Sequence, residues 1–205
     1  MLTLNSLKST GSVGMLHALS PSVKCRLLTL AVFLSCGLVS LPAATLERLS
    51  LDDLIAKSTA IVRGTVTGSW AAYTGSIICT HYKIQVSETL KGASQDWVEI
   101  VVTGGTLNGI HTSASGSPTL NQGDQFVFFL WTSKAGVTQI MGLTQGLFAL
   151  PGNGSSDPTI TRSPTRELML DPATARPVKD AALSLRLSEL RSQIAKALAA
   201  KGGGE

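Results

Sequence analysis

Cysteine, aromatic residues and charge are all scarce in this chain of 205 residues. Of its three cysteines, only Cys79 lies beyond residue 44, so the rest of the chain cannot form an internal disulfide. Aromatic residues make up 5% and charged residues 15% of the sequence, whereas 43% of it is hydrophobic. A chain of this length can bury enough apolar surface to fold without cross-links. We therefore expect a domain that an apolar core stabilises.

Motifs of catalysis and cofactor binding are also missing. The sequence contains no Gly-x-Ser-x-Gly motif and no Gly-x-Gly-x-x-Gly motif. It therefore gives no support for a hydrolase with a serine nucleophile elbow or for a dinucleotide-binding protein. His81 and His111 are the only histidines beyond residue 44. The sequence thus predicts a protein that is not an enzyme and that holds no cofactor.

The beginning of the chain has the order of segments that the export machinery reads. Lys24 and Arg26 precede the apolar stretch Leu27–Cys36, and the small residues Ala43 and Ala44 follow it. Positive flank, apolar stretch and small-residue exit are typical of a secretory signal peptide. The apolar stretch that begins at Leu27 is shorter than the roughly 20 residues that a membrane-spanning helix needs.

We therefore predict that residues 1–44 are a signal peptide, with Met15 as an alternative start. The remainder is predicted to be secreted or periplasmic in a bacterium, because an exported domain of this size without disulfides fits a bacterial envelope. An uncleaved membrane anchor and lipidation at Cys36 are the alternatives.

The net charge of +4 arises at the beginning of the chain. Lys8, Lys24 and Arg26 precede residue 45, whereas all 13 acidic residues follow it. The remaining 14 basic residues nearly balance the acidic ones, which excludes the strongly basic surface of a nucleic-acid-binding protein. We expect no nucleic-acid partner and, after cleavage of the signal peptide, no membrane association.

A helix and a strand are predicted at the start of the remaining chain. Ser50–Asp53 resembles a capping box with Asp in place of Glu, which predicts a short helix at about 51–57. The segment Ala60–Val66 is typical of a strand, and its Gly64 indicates a bulge or a tight bend.

The clearest strand pattern lies between Ser76 and Glu88. Apolar residues including Tyr82 alternate there with a second set that includes Cys79 and His81. Because successive side chains of a strand point to opposite faces, we expect Tyr82 in the core and the other two on the opposite face.

The whole pattern predicts a mainly β fold. Five to seven short strands separated by glycine turns indicate a small OB-like β-barrel over residues 45–163, with a short N-terminal helix and a C-terminal amphipathic helix. That helix is expected to pack on its own domain or, alternatively, on a partner or a membrane surface. The segments after the barrel are predicted, in chain order, as a linker, the helix and a disordered tail: residues 164–177, 178–200 and 201–205.

A series of strand-like segments and glycine turns between residues 48 and 162 carries a family resemblance. Its members are Ile61–Val66, Thr80–Val86, Glu88–Gly92, Gly104-Gly105, Gly123-Asp124, Phe126–Leu130 and Gly142–Phe148. In this order they resemble a set of uncharacterised exported bacterial proteins with an OB-like β-barrel. The series is also loosely similar to the netrin-like domain, the barrel of tissue inhibitors of metalloproteinases. Those inhibitors use an N-terminal cysteine and several disulfides, so their mechanism does not carry over to this chain.

Two predicted loops, residues 68–76 and 104–124, form the variable surface of the barrel. Trp70 and Tyr73 in the first loop are candidates for an exposed ligand surface. The second loop contributes three further candidates: Gly104, Gly105 and His111.

A weaker hypothesis is a metal site. Cys79 and His81 lie two residues apart on one strand, and His111 could be a third ligand. An exposed histidine and an unused thiol are the more common explanation of such a pattern.

We therefore expect an exported, non-enzymatic binding or accessory domain, whose partner is an unknown protein or small ligand in the envelope or the medium. Two alternatives stay open. One is an inhibitor or partner of a secreted protease, which only the netrin-like resemblance suggests. The other is a metal-dependent enzyme that uses His81, His111 and Cys79.

Overall fold

The structure, a computed structural model, describes residues 45–152 and 155–202, with side chains through residue 200. Within these ranges the chain is mainly β, with one short early helix and a longer helix at the C-terminal end. This confirms the predicted mainly β class and the presence of an early and a C-terminal helix. The predicted signal peptide, residues 1–44, lies outside the described residues, as does the end of the predicted tail, residues 203–205.

The elements are, in chain order, β1 (Thr45–Glu47), α1 (Leu51–Lys57), β2 (Ala60–Thr74), β3 (Ile77–Lys91), β4 (Trp97–Leu107), β5 (Ile110–Ser113), β6 (Gln125–Thr132), β7 (Thr138–Ile140), a 3₁₀ helix (Leu143–Gly146), β8 (Leu147–Ala149), β9 (Thr159–Arg162), β10 (Leu168–Leu170), β11 (Pro177–Val178), β12 (Leu183–Arg186) and α2 (Leu187–Gly202).

Helix α1 begins at the predicted capping box. The Ser50 hydroxyl accepts from the Asp53 backbone N–H at 3.0 Å, and the Asp53 carboxylate accepts from the Ser50 N–H at 3.1 Å. These reciprocal bonds pair two N–H groups that the first turn would otherwise leave unpaired. The helix buries Leu54 and Ile55 in the apolar core.

Strands β2 and β3 form one long antiparallel hairpin that pairs up to Thr74 and Ile77 at the turn. The predicted loop at residues 68–76 is therefore wrong, since Trp70 and Tyr73 are strand residues. The segment around Trp70 lacks clear alternation in the sequence, and pairing with β3 holds it extended.

Gly64 lies at a break in the β2–β3 register, between Arg63 and Gly64, which confirms the predicted bulge. A Cβ atom at this position would lie 2.6 Å from Cγ2 of Ile84 and 2.7 Å from the carbonyl oxygen of Gln85. Glycine is therefore needed here because the two strands approach closely.

Nine strands form the larger sheet in the order β12-β9-β8-β6-β2-β3-β4-β5, with β7 paired to β6. A second, three-stranded sheet has the order β1-β10-β11. Among the described residues, the hydrogen-bonded path of the larger sheet ends at β12 and β5, so this pairing does not close into a barrel. The predicted number of five to seven strands is too low for the described residues, because β1 and β5 were not predicted and β10, β11 and β12 lie in segments predicted as a linker and a helix.

Two apolar clusters lie on opposite faces of the larger sheet. On β6, Phe128 belongs to one cluster and Phe129 to the other, as strand alternation requires. The inner cluster comprises Val62, Val66, Tyr82, Ile84, Val98, Ile100, Val102, Leu120, Phe128, Leu130, Ile140 and Leu147. The helix-side cluster comprises Leu49, Leu54, Ile55, Ile61, Val127, Phe129, Phe148, Leu150, Ile160, Leu187, Leu190 and Ile194.

The C-terminal region differs from its prediction. Strand β10 and the start of β11 lie within the predicted linker, residues 164–177, and α2 begins at Leu187 instead of residue 178. Leu183 and Leu187 are four residues apart, which fits a helix, but Leu183 pairs with Arg162 of β9 as a strand residue. The leucine spacing therefore made the residues of β12 look like the first turn of the helix, and their alternation as a short strand was not recognised.

Helix α2 packs on its own domain through the helix-side cluster. Arg191 fixes it to β3 by donating to both carboxylate oxygens of Glu88, at 2.7 and 2.8 Å. At its start, Asp157 accepts from the N–H of Ser188 at 2.8 Å. Within the described ranges, neither helix has the length and the apolarity that crossing a membrane requires.

Candidate functional site

Strand alternation places a set of polar side chains on the outer face of β3 and β4. Tyr82 and Ile84 of β3 belong to the inner cluster, so the intervening His81 and Lys83 lie on the opposite face. On β4 the same alternation places Glu99 on this outer face, beside the buried Ile100. Glu99 pairs in register with Lys83, one diagonal step from His81.

A cleft of about 630 Å³ opens on this face, and we call it the outer cleft. The end of β2, strands β3 and β4 and the β6–β7 turn surround it. Its lining residues are Thr74, His81, Gln95, Asp96, Trp97, Val98, Glu99, Val101, Ala135, Gly136, Val137 and Thr138.

Two hydrogen bonds and one ring contact fix His81 in the cleft. Its Nδ1 lies 2.7 Å from Oε1 of Glu99, and its Nε2 lies 3.3 Å from Oγ1 of Thr74. A carboxylate oxygen accepts, so Nδ1 carries the hydrogen and Nε2 can accept from the Thr74 hydroxyl. Trp70, opposite His81 in the register, stacks on the imidazole with ring centroids 5.4 Å apart and an interplanar angle of 16°. The ring is thus held on two edges and one face.

Trp97 is the large aromatic side chain of the outer cleft, and 51% of it is exposed. The Nζ atom of Lys83 lies 5.3 Å from its ring centroid, which is within the range of a cation–π contact. The contact shows that the electron-rich face of Trp97 accepts a cation. The cleft therefore combines an exposed aromatic wall with a fixed histidine–carboxylate pair.

The candidates Trp70 and Tyr73 lie at different places relative to this site. Trp70 is 44% exposed and touches the cleft through its stacking on His81. Tyr73 is exposed near the end of β2 but does not line the outer cleft. The structure therefore brings only one of these two aromatic residues to the site.

Gly104, Gly105 and His111 line a separate recess of about 260 Å³. Residues 104–124 were predicted as one loop, but β4 continues to Leu107 and β5 pairs with it, so this part of the prediction is wrong. His111 lies on β5, where its Nδ1 is 2.9 Å from Oγ1 of Thr106.

The hypothetical metal ligands are not brought together. Cys79 is buried on β3, His81 is bonded to Glu99 and Thr74, and His111 lines the separate recess. In the part of the chain that the structure describes, no group of three or more His, Cys, Asp or Glu side chains is placed to hold a metal ion.

Sequence reasoning missed Thr74 and Glu99. Glu99 could have been assigned to the outer face from the alternation of β4, but only the register of β3 and β4 shows that it meets His81. Thr74 was hidden because the end of β2 was predicted as a loop.

No family model matches the chain, and no curated protein matches it either.

Proposed function

We propose that this chain is an exported, non-enzymatic binding or accessory domain whose ligand occupies the outer cleft. The observation that carries the proposal is the cleft itself, in which the exposed Trp97 lies beside the fixed His81–Glu99 pair. Its volume of about 630 Å³ lies within the range of small-ligand sites, about 300–1,000 Å³. A pocket with an aromatic wall and a few oriented polar groups is the usual form of such a site.

Support for binding also comes from the rigidity of the site. His81, Trp97 and Glu99 project from paired strands, and His81 is held by Glu99, Thr74 and Trp70. Side chains that are already fixed lose little conformational freedom when a ligand binds.

The lining of the cleft favours a ligand that carries a basic group. Asp96 and Glu99 contribute carboxylates, and none of the described residues that line the cleft is lysine or arginine. Trp97 already contacts one ammonium group, that of Lys83. An amine or a guanidinium, such as a lysine or arginine side chain of a peptide, would complement both features.

Trilysine is a suitable probe, with triglutamate as its counterpart. We expect trilysine to change the tryptophan fluorescence saturably and Glu99→Gln to weaken its binding at least fivefold, because the variant keeps the size of the side chain but removes its charge. Asp52→Asn, an exposed position on α1, is the matched control and should leave the affinity unchanged. Equal binding of triglutamate, or an unchanged affinity of Glu99→Gln, would contradict the proposed ligand chemistry.

Export is supported by the segment order of residues 1–44. Cleavage after Ala44 would release a chain that begins with β1, whose Thr45 pairs with Leu168. Mass spectrometry of protein from the periplasm or the medium should find Thr45 at the N-terminus. Unprocessed full-length protein confined to the cytosol would overturn this proposal.

An OB-like, netrin-like barrel is also proposed, on the basis of the family resemblance and of one contact. Strand β7 is paired to β6 and lies against β4 without pairing with it. Closure through this β4–β7 approach would enclose the inner cluster, with the remaining strands outside the barrel.

A second candidate function is hydrolysis, because Thr74, His81 and Glu99 follow the hydroxyl–imidazole–carboxylate order of nucleophilic hydrolases. In that case the Thr74 hydroxyl would attack an ester carbonyl while His81 takes its proton. As the ester C–O bond breaks, His81 would return that proton to the leaving alcohol or phenol, and water would then hydrolyse the acyl-Thr74 ester. Hydrolysis of p-nitrophenyl acetate should then be lost in Thr74→Val and kept in Thr67→Val. Hydrolysis that is equal in both variants would exclude this use of the site.

The two earlier alternatives have their own tests. Stoichiometric zinc that is lost in His81→Ala would support a metal-dependent enzyme. Recovery of a secreted metalloprotease on the immobilised protein, with inhibition of its activity, would support an inhibitor.

A further inference from the structure

A second pocket, of about 320 Å³, lies away from the outer cleft, between the segment that precedes α1 and the β12–α2 region. We call it the Arg162 pocket. Its lining residues are Arg48, Leu49, Ser50, Leu51, Arg162, Asp180, Ala181, Leu183, Ser184, Leu185, Glu189 and Gln193.

Arg162 is buried in this pocket and only partly paired. Its side chain is 3% exposed, and Nη2 donates to Oδ1 of Asp180 at 2.5 Å and to the carbonyl oxygen of Ala181 at 3.0 Å. Within the described part of the chain, no atom accepts from its Nε or its Nη1. A guanidinium has five N–H donors, and a buried donor without an acceptor costs free energy. Two buried donors of a residue that lines the pocket therefore lack an acceptor.

The Asp180 carboxylate does not supply the missing acceptors. Its Oδ1 already accepts from Arg162 and from the Ala181 N–H, and its Oδ2 accepts from the Thr165 N–H at 2.9 Å. Burial lowers the pKa of Arg162, the Asp180 carboxylate opposes this, and the positive charge of Arg48 lowers it further. Arg48 and Arg162 thus meet at this pocket together with the carboxylates of Asp180 and Glu189, and Asp180 pairs with Arg162. An acceptor for Nε and Nη1 of Arg162 would relieve the two unpaired donors.

Four leucines give the remaining walls of the pocket apolar surface, beside the polar Ser50, Ser184, Glu189 and Gln193. Leu49 is buried, and Leu51, Leu183 and Leu185 pack against the helix-side cluster. An inorganic anion would leave these walls uncovered, whereas an apolar chain attached to the anion would contact them. The lining therefore favours an organic anion with an apolar chain over an inorganic anion.

We propose that the Arg162 pocket binds a carboxylate with an apolar body, whose carboxylate accepts from Arg162 and faces Arg48. Two sources share this chemistry: a short-chain fatty acid and the C-terminal carboxylate of an apolar peptide. The pocket is independent of the outer cleft, so its occupancy does not depend on the function proposed above.

Calorimetric titration of the full chain with octanoate tests the proposal, and octanol is the uncharged probe of matched shape. We expect one saturable octanoate site and at least tenfold weaker binding of octanol. Arg48→Gln should weaken octanoate binding at least fivefold, since Arg48 is exposed and its replacement leaves the core intact. Arg176→Gln, in the turn between β10 and β11, is the matched control and should bind as the parent protein does.

The peptide source is tested with acetyl-Leu-Leu that has either a free or an amidated C-terminus. Tighter binding of the free acid than of octanoate would assign the pocket to a peptide carboxylate, and the reverse order would assign it to a fatty acid. The proposal is overturned if neither carboxylate saturates, as expected of a pocket that holds only water. It is equally overturned if octanol binds as well as octanoate or if Arg48→Gln has no effect.

Discussion

On the helix-covered side of the sheet, Phe129 and Phe148 are fully buried, and their rings lie 5.3 Å apart beneath α1 and α2. On the outer face of β3 and β4, Trp97 is half exposed and His81 is held by hydrogen bonds. Both regions are built on strands of one sheet, yet the first excludes water and the second leaves a cleft open to it. The difference indicates that the helix-covered region contributes more to stability than the outer cleft does and that the outer cleft is available for binding.

Truncation of a core ring should show this division most strongly. Phe129→Ala removes a fully buried ring from the helix-side cluster and is expected to lower the free energy of unfolding by about 3–5 kcal/mol. Trp97→Ala, at the outer cleft, should lower it by less than about 1 kcal/mol. Urea unfolding of both variants measures the two values. A similar loss in both would mean that the cleft is part of the stabilising core.

The close approach of β2 and β3 gives the next effect. In Gly64→Ala the added methyl group would meet Ile84 and the backbone of Gln85, so we expect a loss of about 1–3 kcal/mol in unfolding free energy. Gly68→Ala is the control on the same strand, because nothing lies within 4 Å of its Cβ position. Equal stability of the two variants in urea would contradict the described strand register.

A smaller effect, with a defined pH dependence, is expected where α2 is bonded to β3. Hydrogen bonds from Arg191 lower the pKa of Glu88 below its ordinary value of 4.5. A lowered pKa in the folded state means that the ion pair stabilises fully above about pH 4.5 and that this contribution is lost as the pH falls through the folded-state pKa. Glu88→Gln should therefore cost up to about 1 kcal/mol at pH 7, and this difference from the parent protein should shrink at pH 3.

Unfolding curves of the parent protein and Glu88→Gln at both pH values measure this change. A difference that stays constant between pH 7 and pH 3 would show that the pair does not act through its charge.

The smallest effect on stability is expected at His81. His81→Gln loses the ring stacking with Trp70 but replaces an outer-face side chain, so the free energy of unfolding should change by less than about 1 kcal/mol. The fluorescence of Trp70 should nevertheless change, because its neighbouring ring is gone. Double replacement with Trp70→Phe should abolish that change; if it persists, another tryptophan reports it.

Local signals in the sequence were sufficient for several elements. The capping box at Ser50 predicted α1, the alternation around Tyr82 predicted β3 and its buried face, and Gly64 predicted the bulge. Each of these depends on neighbours within a few residues, which the sequence shows directly.

The site itself depends on contacts between distant parts of the chain. His81 meets Glu99 only because β3 and β4 pair in one register, and Thr74 reaches it only because β2 is longer than its pattern indicates. The start of α2 was misplaced because Leu183 and Leu187 fit both a helix and a strand followed by a helix. Register and strand length are set by tertiary pairing, so a single sequence could not supply them.

Residue-resolved NMR of the protein titrated with trilysine tests most directly whether the outer cleft is the ligand site. We expect the amide shift changes to concentrate at residues 95–99 and 135–138 and to disappear in Glu99→Gln while the fold of that variant is unchanged. Shift changes that cluster on β5 or α2 instead, or that persist in Glu99→Gln, would contradict it.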